Sequence, residues 1–311
     1  MAGQDERKIV LVTRETRLDE LIARFNTLGQ AQFYVEHLGA DFGDYLAEHG
    51  RYGAAIDACE AALGAFGRVQ RLPRRYLANF LFAASDIVVA VGPDGLVANC
   101  LKYLDGQRLV GVNPDPARWD GALLPFAPPD LPKVMAEELA GHRGTREVTM
   151  AKASLNNGTS LYAVNDLFIG RRTHVSARYT LTSVGASERQ SSSGIIVSTG
   201  LGSTGWMRSV YAGIAGGAGA FMGVGKLEAV STMSSDVRFL RFAVREPYPS
   251  RSTGASIVGG QIDAGRGFAV MSEMAEDGVI FSDGVEADFL EFNAGTLATV
   301  TVSERVGQLV I

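Results

Sequence analysis

A five-residue apolar run, Ile87-Val88-Val89-Ala90-Val91, ends abruptly at Gly92-Pro93-Asp94-Gly95. A run of this length and β-branched content suits a strand buried on both faces. Gly92 can take φ > 0, and Pro93 cannot continue a sheet ladder. Leu96, Val97, Leu101 and Leu104 then recur at a mixed spacing that suits a buried helix, and Leu109 to Val112 reads as a second buried strand. Strand, glycine turn, helix and strand make a βαβ unit, which commits this part of the chain to a parallel sheet. In open α/β sheets ligands bind beyond the carboxyl ends of the strands. Asp94 therefore stands either as a working carboxylate or as an ordinary turn residue, since Asp and Gly are common in turns for local reasons.

The surrounding sequence extends the same pattern. Lys8 to Val12 reads as the first strand, and Arg17 to Asn26 as an amphipathic helix with Leu18, Leu21, Ile22 and Phe25 on one face. Residues 27–50 suggest helical pieces broken at Gly39 and Gly43. Tyr52 to Phe66 is Ala-rich and helical, with Gly67 as its cap, and Val69 to Leu72 is a strand. Arg75 to Ala84 suits a helix leading into Ile87. Six of the chain's 10 prolines then fall between Pro114 and Pro132. Such a stretch is neither a long helix nor a central strand, and it reads as the crossing between domains. The expected organisation is an α/β domain over 1–117, with a parallel, Rossmann-like sheet, and a β-rich domain over 118–311, whose last strand could return to the first domain.

Beyond this crossing the pattern shortens. Candidate strands are Glu147–Ala151, Leu161–Phe168, Ala177–Thr182, Gly194–Val197, Val237–Val244, Gly267–Met271, Val279–Phe281 and Leu297–Val302. Few have helices between them, so the second half reads as mainly antiparallel β, a sandwich or closed sheet. Lys133–Ala140 and Trp206–Ala215 are the helical exceptions, and Gly213 to Gly225 reads as a loop or close packing site.

Composition excludes several classes. The 311 residues are 46% hydrophobic and 20% charged, as in a globular protein, and the net charge of -5 argues against a nucleic-acid binder. Cys59 and Cys100 are too few for a disulfide framework or thiolate cluster, and His37, His49, His142 and His174 lack ligand spacing. The polar start lacks the apolar core of a signal peptide, and no apolar run reaches the roughly 20 residues that span a bilayer. A cytoplasmic, non-membrane protein is the expectation.

Two further stretches carry candidate chemistry. Ser192 to Trp206 takes an apolar strand into a turn of glycines and hydroxyls ahead of a helix. Glycine lets a ligand approach the backbone, and exposed N–H groups bind anions. Gly200, Gly202 and Gly205 satisfy G-x-G-x-x-G, but no βαβ unit surrounds them, so the dinucleotide fingerprint is discounted. In Tyr162 to Gly170, Asn165-Asp166 interrupts an apolar strand. An amide beside a carboxylate can read an adenine edge or ribose hydroxyls, or mark a bend at a strand end.

Together the three stretches resemble the ATP-NAD kinases, which phosphorylate the adenosine ribose 2′-hydroxyl of NAD. The family's Gly-Gly-Asp-Gly-Thr looks like Gly92-Pro93-Asp94-Gly95-Leu96, its Asn-Glu or Asn-Asp pair like Asn165-Asp166, and its Gly/Ser/Thr loop like Ser198 to Trp206. The mitochondrial-type branch is resembled most, through Asn165 to Gly170, Ser192-Ser193-Gly194, Val244-Arg245-Glu246-Pro247, Asp283-Gly284 and the early Val12 to Arg17. The resemblance implies an NAD kinase-like fold with the active site in a cleft between the domains, and a homodimer or homotetramer. It makes Asp94 the general base or a Mg²⁺ ligand, and Gly92, Gly95 and Arg14 phosphate-binding residues. Asn165, Asp166, Ser193, Ser203, Thr204, Gly205 and Trp206 would bind NAD, with ATP or another phosphate donor as co-substrate. The departures are Pro93, which has no N–H to cradle phosphate, Leu96 in place of a Thr hydroxyl, and Ser193 where most bacterial members carry Asp. Two alternatives stay open: a kinase of another hydroxyl substrate (sugar, nucleoside or lipid), and a non-catalytic dinucleotide-binding regulatory protein.

Overall fold

The computed structural model describes residues 8–119, 121–225, 232–266 and 268–311. The chain divides into two compact units, one running up to Arg146 and joined by Gln308–Ile311, the other comprising Glu147–Gly307.

In the first unit, strands β1 (Lys8–Thr13), β2 (Arg68–Pro73), β3 (Ile87–Val91) and β4 (Arg108–Val112) pair in parallel in the order β2-β1-β3-β4. Gln308 and Leu309, near the end of the chain, add in parallel beside β4. Burial explains the near-continuous apolar runs: Ile9 to Val12, Val88 to Val91, and Leu109, Val110 and Val112 are all inaccessible to solvent. Helix α1 (Arg17–Phe25) begins with a capping box in which Thr16 and Asp19 exchange hydrogen bonds. Helix α2 (Leu28–His37) packs Ala31 and Val35 against Leu18 and Phe42.

Helix α3 (Phe42–Leu63) is a single 22-residue element. Gly43 does not break it, because Asp41 caps its N–H at 2.8 Å and places it in the first turn. The helix ends at Gly64 rather than Gly67. The stretch expected as a helix over 75–84 is one short turn of 3₁₀ helix, Arg74–Asn79, followed by irregular chain. Helix α4 (Asp94–Leu101) follows β3 as the βαβ reading requires.

The division lies at 146/147, whereas the proline-rich segment suggests 117/118. The reason is packing. Phe126, together with Leu131, Val134 and Met135 of helix α5 (Leu131–Leu139), shares one core with Ile9, Val89 and Val110. The prolines shape a covering segment of this unit.

Among its described residues, the second unit is a β sandwich with one α-helix. One sheet contains β8 (Ala177–Ser183), β9 (Ala186–Ser192), β13 (Phe268–Ser272) and the first part of β16 (Leu297–Val310), in the order β16-β13-β8-β9. Strand β5 (Thr145–Leu155) pairs with β16 and with β6 (Ser160–Ala163). The other sheet contains β7 (Asp166–Arg171), β10 (Ile195–Ser198), β11 (Phe239–Val244), β12 (Gly259–Asp263), β14 (Gly278–Ser282) and β15 (Val285–Glu291), in the order β12-β11-β10-β7-β14-β15. Tyr179, Leu181, Val197, Phe242, Phe268 and Phe292 fill the space between them.

Three strands escaped the sequence reading: β9, β12 and β15. All three are sheet edges. An edge strand carries polar residues and little alternation, so β9, Ala-Ser-Glu-Arg-Gln-Ser-Ser, gives no hydrophobic signal. The expected strand Leu161–Phe168 is two strands with a break at Val164-Asn165. Gly267, the expected start of another strand, lies outside the described residues. Helix α6 (Trp206–Met222) runs through most of the glycine-rich stretch expected as a loop. Its Met207, Val210 and Tyr211 cover Phe168, Ile196, Ala243 and Val279 on the outer face of the second sheet. Among the described residues no helix is long and apolar enough to cross a membrane.

The carboxyl ends of β1 and β3 are bridged by one hydroxyl. Tyr52 Oη accepts the Arg14 N–H at 2.8 Å and donates to the Val91 carbonyl at 2.8 Å. Burial pushes this phenol up to about 12. Tyr52→Phe leaves both backbone groups without their partner and is expected to lower unfolding free energy by about 1–3 kcal/mol. Urea titration of the two proteins checks this, and an unchanged midpoint contradicts it.

Candidate functional site

In the second unit the site begins at a backbone clasp. Asp283 and Gly284, both at positive φ (55° and 70°), form the tight turn between β14 and β15. Positive φ at both central residues is the geometry that Asp-Gly favours in two-residue hairpins. The Asp283 carboxylate accepts the N–H groups of three consecutive residues: Val164 at 3.0 and 3.1 Å, Asn165 at 2.6 Å and Asp166 at 3.2 Å. Its own N–H donates to the Asp166 carbonyl at 2.9 Å. The break between β6 and β7 is therefore an ordered turn with a charged acceptor at its centre.

A second turn seats on the first. Thr199 donates its N–H to the Asn165 carbonyl at 2.9 Å and its hydroxyl to the Val164 carbonyl at 2.5 Å. A Cβ on Gly202 would stand 2.1 Å from the Asn165 oxygen, and one on Gly200 would stand 1.8 Å from the Ser234 oxygen. Only glycine permits either approach. Ser203 is buried, donating to the Gly200 carbonyl at 2.7 Å and accepting the Met233 N–H at 2.9 Å. Much of this turn's small polar composition is thus structural. Asn165 is held through its backbone, and among the described residues its side-chain amide makes no hydrogen bond.

Asp166 is half-buried, and its Oδ1 has no hydrogen-bond partner. Burial pushes its carboxyl up to about 7; the Ser198 hydroxyl opposes the shift and the nearby Asp283 charge adds to it. An acid that changes charge near neutrality, beside a free amide, is the feature of this turn most suited to ligand recognition.

Thr204 and Gly205 are exposed, and the Thr204 hydroxyl turns back to the Leu201 carbonyl at 3.3 Å. Trp206 opens α6 and stacks on Phe168, with ring centroids 5.8 Å apart and planes at 8°. The Arg245 guanidinium lies 5.5 Å from the Trp206 ring. Both line a groove of about 610 Å³, with Val210, Ile214, Val244 and Pro247. Ser193 is placed differently. It is exposed, its N–H donates to the Arg245 carbonyl, and it precedes the end of β10 remote from Ser198. Because Ser198 pairs with Asp166 while Ile195 pairs with Ile169, Ser193 does not join the Asn165-Asp166 turn.

The first unit holds the remaining candidates. Asp94 opens α4 and accepts the N–H groups of Leu123 at 2.7 Å and Ala122 at 3.3 Å. Gly111 explains the proximity of that segment, since a Cβ there would stand 2.2 Å from the Leu123 oxygen. Gly92 is buried and donates its N–H to the Val112 carbonyl at 3.2 Å, so that donor serves the sheet end. Gly95 is exposed on the first turn of α4. Arg14 contacts Glu48 at 2.8 Å and lines a recess of about 400 Å³ with Arg17, Arg74, Pro93, Arg118 and Trp119.

Among the described residues no group of three or more His, Cys, Asp or Glu side chains could hold a metal ion. Asp94 is a lone carboxylate whose two oxygens already accept backbone N–H groups. Among the described residues there is therefore no all-protein Mg²⁺ cage, and Asp94 could meet the ion only together with substrate phosphates.

Sequence reasoning missed the roles of Asp283, Thr199, Tyr52 and Arg118. Asp-Gly between two apolar runs was a readable hairpin signal for Asp283. The other three gain their roles from partners distant in sequence.

No protein-family model matches the chain, and no curated protein matches it in sequence. Solved structures do match. An NAD kinase from Archaeoglobus fulgidus in complex with ATP is 16% identical, with a TM-score of 0.59 over 97% of this chain and 92% of that one. Yeast NADH kinase complexed with NADH is 15% identical, with a TM-score of 0.57 over 99% of this chain and 84% of that one. The fold is that of the NAD kinases. At these identities the likeness establishes the NAD kinase fold for this chain and assigns neither a branch of that family nor an individual motif.

Asp283→Ala removes the common acceptor of three N–H groups and is expected to cost roughly 2–4 kcal/mol of stability. Asp283→Asn, which keeps one acceptor oxygen, is expected to recover much of that loss in urea unfolding. The Asp166 carboxyl gives a pH signature. Its folded value lies above its ordinary one of 3.8, so between about pH 4 and 7 the folded chain holds more protons than the unfolded chain. Stability from this group is complete below that window and lost as pH rises through about 7. Melting temperatures of Asp166→Asn should not show this loss, so the difference from the parent protein should grow from pH 4 to 7. Parallel curves contradict the assignment.

Proposed function

We propose that the protein is an NAD kinase-like phosphotransferase, moving a phosphoryl group from ATP or another donor to the adenosine ribose 2′-hydroxyl of NAD(H). The observation that carries this reading is the seating of the Thr199–Gly205 turn on the Asn165-Asp166 turn, within a chain whose whole length follows the NAD kinase fold.

The neighbours supply the chemistry by name: one is an NAD kinase in complex with ATP, the other an NADH kinase complexed with NADH. In this chain Asn165 and Asp166 would bind the dinucleotide, and Thr204, Gly205 and Trp206 would extend that surface. The Trp206 groove suits a flat ring. Asp94 would accept the 2′-hydroxyl proton, its carboxylate aimed by the Leu123 and Ala122 amides. Phosphoryl transfer demands positioning and charge neutralisation more than covalent chemistry, which suits a site of amides, hydroxyls and one fixed acid. A magnesium ion carried on the donor's phosphates would supply neutralisation.

A second reading, dinucleotide binding without turnover, has one observation in its favour. The Gly92 N–H is engaged by Val112, Pro93 has none, and Leu96 is buried, so the turn before α4 has few free phosphate donors.

The purified protein, supplied with NAD or NADH, ATP and Mg²⁺, is expected to form NADP(H), assayed by a coupled NADP-specific dehydrogenase. Asp94→Asn is expected to lower kcat by a factor of about 100 or more, the usual scale of general-base loss, with little change in NAD affinity. NAD binding without product supports the second reading. Neither binding nor product refutes both.

A further inference from the structure

We propose that a small pocket on the outer face of the second unit binds a single phosphate-class oxyanion, either free phosphate or the phosphate group of a small metabolite.

The pocket is built from strand register. Strands β8 and β9 pair so that Arg178 stands opposite Ser191 and Thr180 opposite Arg189. Alternate residues of a strand share one face, so these four side chains stand together on one side of the sheet. Tyr179, Gln190 and Ser192 take the other side and are buried. Glu273, directly after β13, joins the first face. Its carboxylate accepts Arg189 Nε at 2.6 Å and the Thr180 hydroxyl at 2.9 Å.

The remaining wall is a hydroxyl-rich loop, Tyr248-Pro249-Ser250-Arg251-Ser252-Thr253. An edge strand such as β9 offers unpaired main-chain groups, and this loop takes them up at both of its ends. The Tyr248 N–H donates to the Ser191 carbonyl at 2.8 Å, and the Gly254 N–H to the Arg189 carbonyl at 2.9 Å. Just beyond, the Glu188 carboxylate accepts the N–H groups of Ser256 at 3.0 Å and Ile257 at 3.1 Å. Within the loop, Ser250 donates its N–H to the Thr253 carbonyl at 2.9 Å, and Thr253 its hydroxyl to the Tyr248 carbonyl at 2.8 Å. The loop is therefore pinned by its own contacts and needs no ligand to order it.

What faces the pocket is rich in donors. Among the described residues Glu273 is the one carboxylate lining it, and Arg189 and Thr180 already occupy that group. Among the same residues Arg178 makes no ion pair and no side-chain hydrogen bond, and the hydroxyls of Ser191 and Tyr248 have no partner. Ser252 reaches the Ser250 hydroxyl only at 3.5 Å. A guanidinium fork with hydroxyls around it matches a phosphate group, whose oxygens are strong acceptors. The pocket's volume of about 130 Å³ limits what it holds. That lies well below the roughly 300 Å³ at which sites for drug-sized ligands begin, so one phosphate group fits and a nucleotide does not. Arg178 and Tyr248 are exposed, which leaves the rest of an esterified ligand in solvent. The pocket is formed by the second unit alone, and this inference does not depend on the kinase reading.

Calorimetric titration of the intact protein with inorganic phosphate, glucose 6-phosphate and glucose tests the site. One or both phosphates are expected to bind, the tighter of them showing whether the free or the esterified group is the ligand. Glucose is expected to give no heat. Arg178→Gln should weaken phosphate binding about tenfold or more, as loss of a charge-assisted contact does. Arg178→Lys should recover part of that. Glu273→Gln, which removes the pocket's negative charge, should tighten it, with thermal melting confirming that the variants fold. Selenate soaked into crystals should give an anomalous peak between Arg178 and Ser252, which separates this site from any anion held by the first unit. Three results overturn the proposal: no binding of either phosphate up to about 10 mM, where a site with a Kd of about 1 mM is nearly full; an isotherm unchanged by Arg178→Gln; or a selenate peak elsewhere with none in this pocket.

Discussion

Two stretches of main chain can touch only where no side chain stands between them, and both units of this protein depend on that constraint. At Gly202 the serine- and threonine-rich turn meets the Asn165 carbonyl where a Cβ would stand 2.1 Å away. At Gly111 strand β4 meets the Leu123 carbonyl at a comparable 2.2 Å. The first approach seats one turn on another. The second brings the Leu123 and Ala122 amides to Asp94. An alanine at either position would collide with backbone, which cannot step aside as the end of a side chain can.

The polar groups brought together by these approaches are tied down by unlike means. Asp283 gathers three consecutive amides into one carboxylate, and its charge helps to raise the neighbouring Asp166. The same side chain thus orders the turn and tunes the acid within it. Asp94 has its oxygens on two amides and, among the described residues, no cluster of ligands that would complete a metal site. The arginine recess is ordered by ion pairs around a buried glutamate, an arrangement that holds guanidinium groups in place while leaving some donors without acceptors.

The parts of the fold legible in the chain were those with strong local periodicity. Buried parallel strands such as Ile87–Val91 announce themselves because both faces are apolar. The edge strands β9 and β12 do not, since their residues are mostly polar or glycine, and β15, Val-Glu-Ala-Asp-Phe-Leu-Glu, was missed although its first residues alternate. Helix α6 was legible over Trp206–Ala215, and only its glycine-rich second half was hidden, because glycine and alanine give weak helix signals there. The proline cluster reads as a change of texture, and Phe126, Leu131 and Met135 draw that segment into the first core.

By itself the sequence determined that a buried βαβ unit precedes a β-rich half, that a glycine turn carries Asp94, and that Asn165-Asp166 and Ser198 to Trp206 stand apart from their apolar surroundings. These are local facts, set by side-chain periodicity and by the special backbones of glycine and proline. Only the tertiary structure decided that Asp283 clasps the Asn165-Asp166 turn, that Tyr52 bridges β1 and β3, and that Arg14, Arg74 and Arg118 share one recess. Those pairings join residues dozens to more than a hundred positions apart, and a polar side chain's partner depends on which backbone segments packing brings within hydrogen-bond reach.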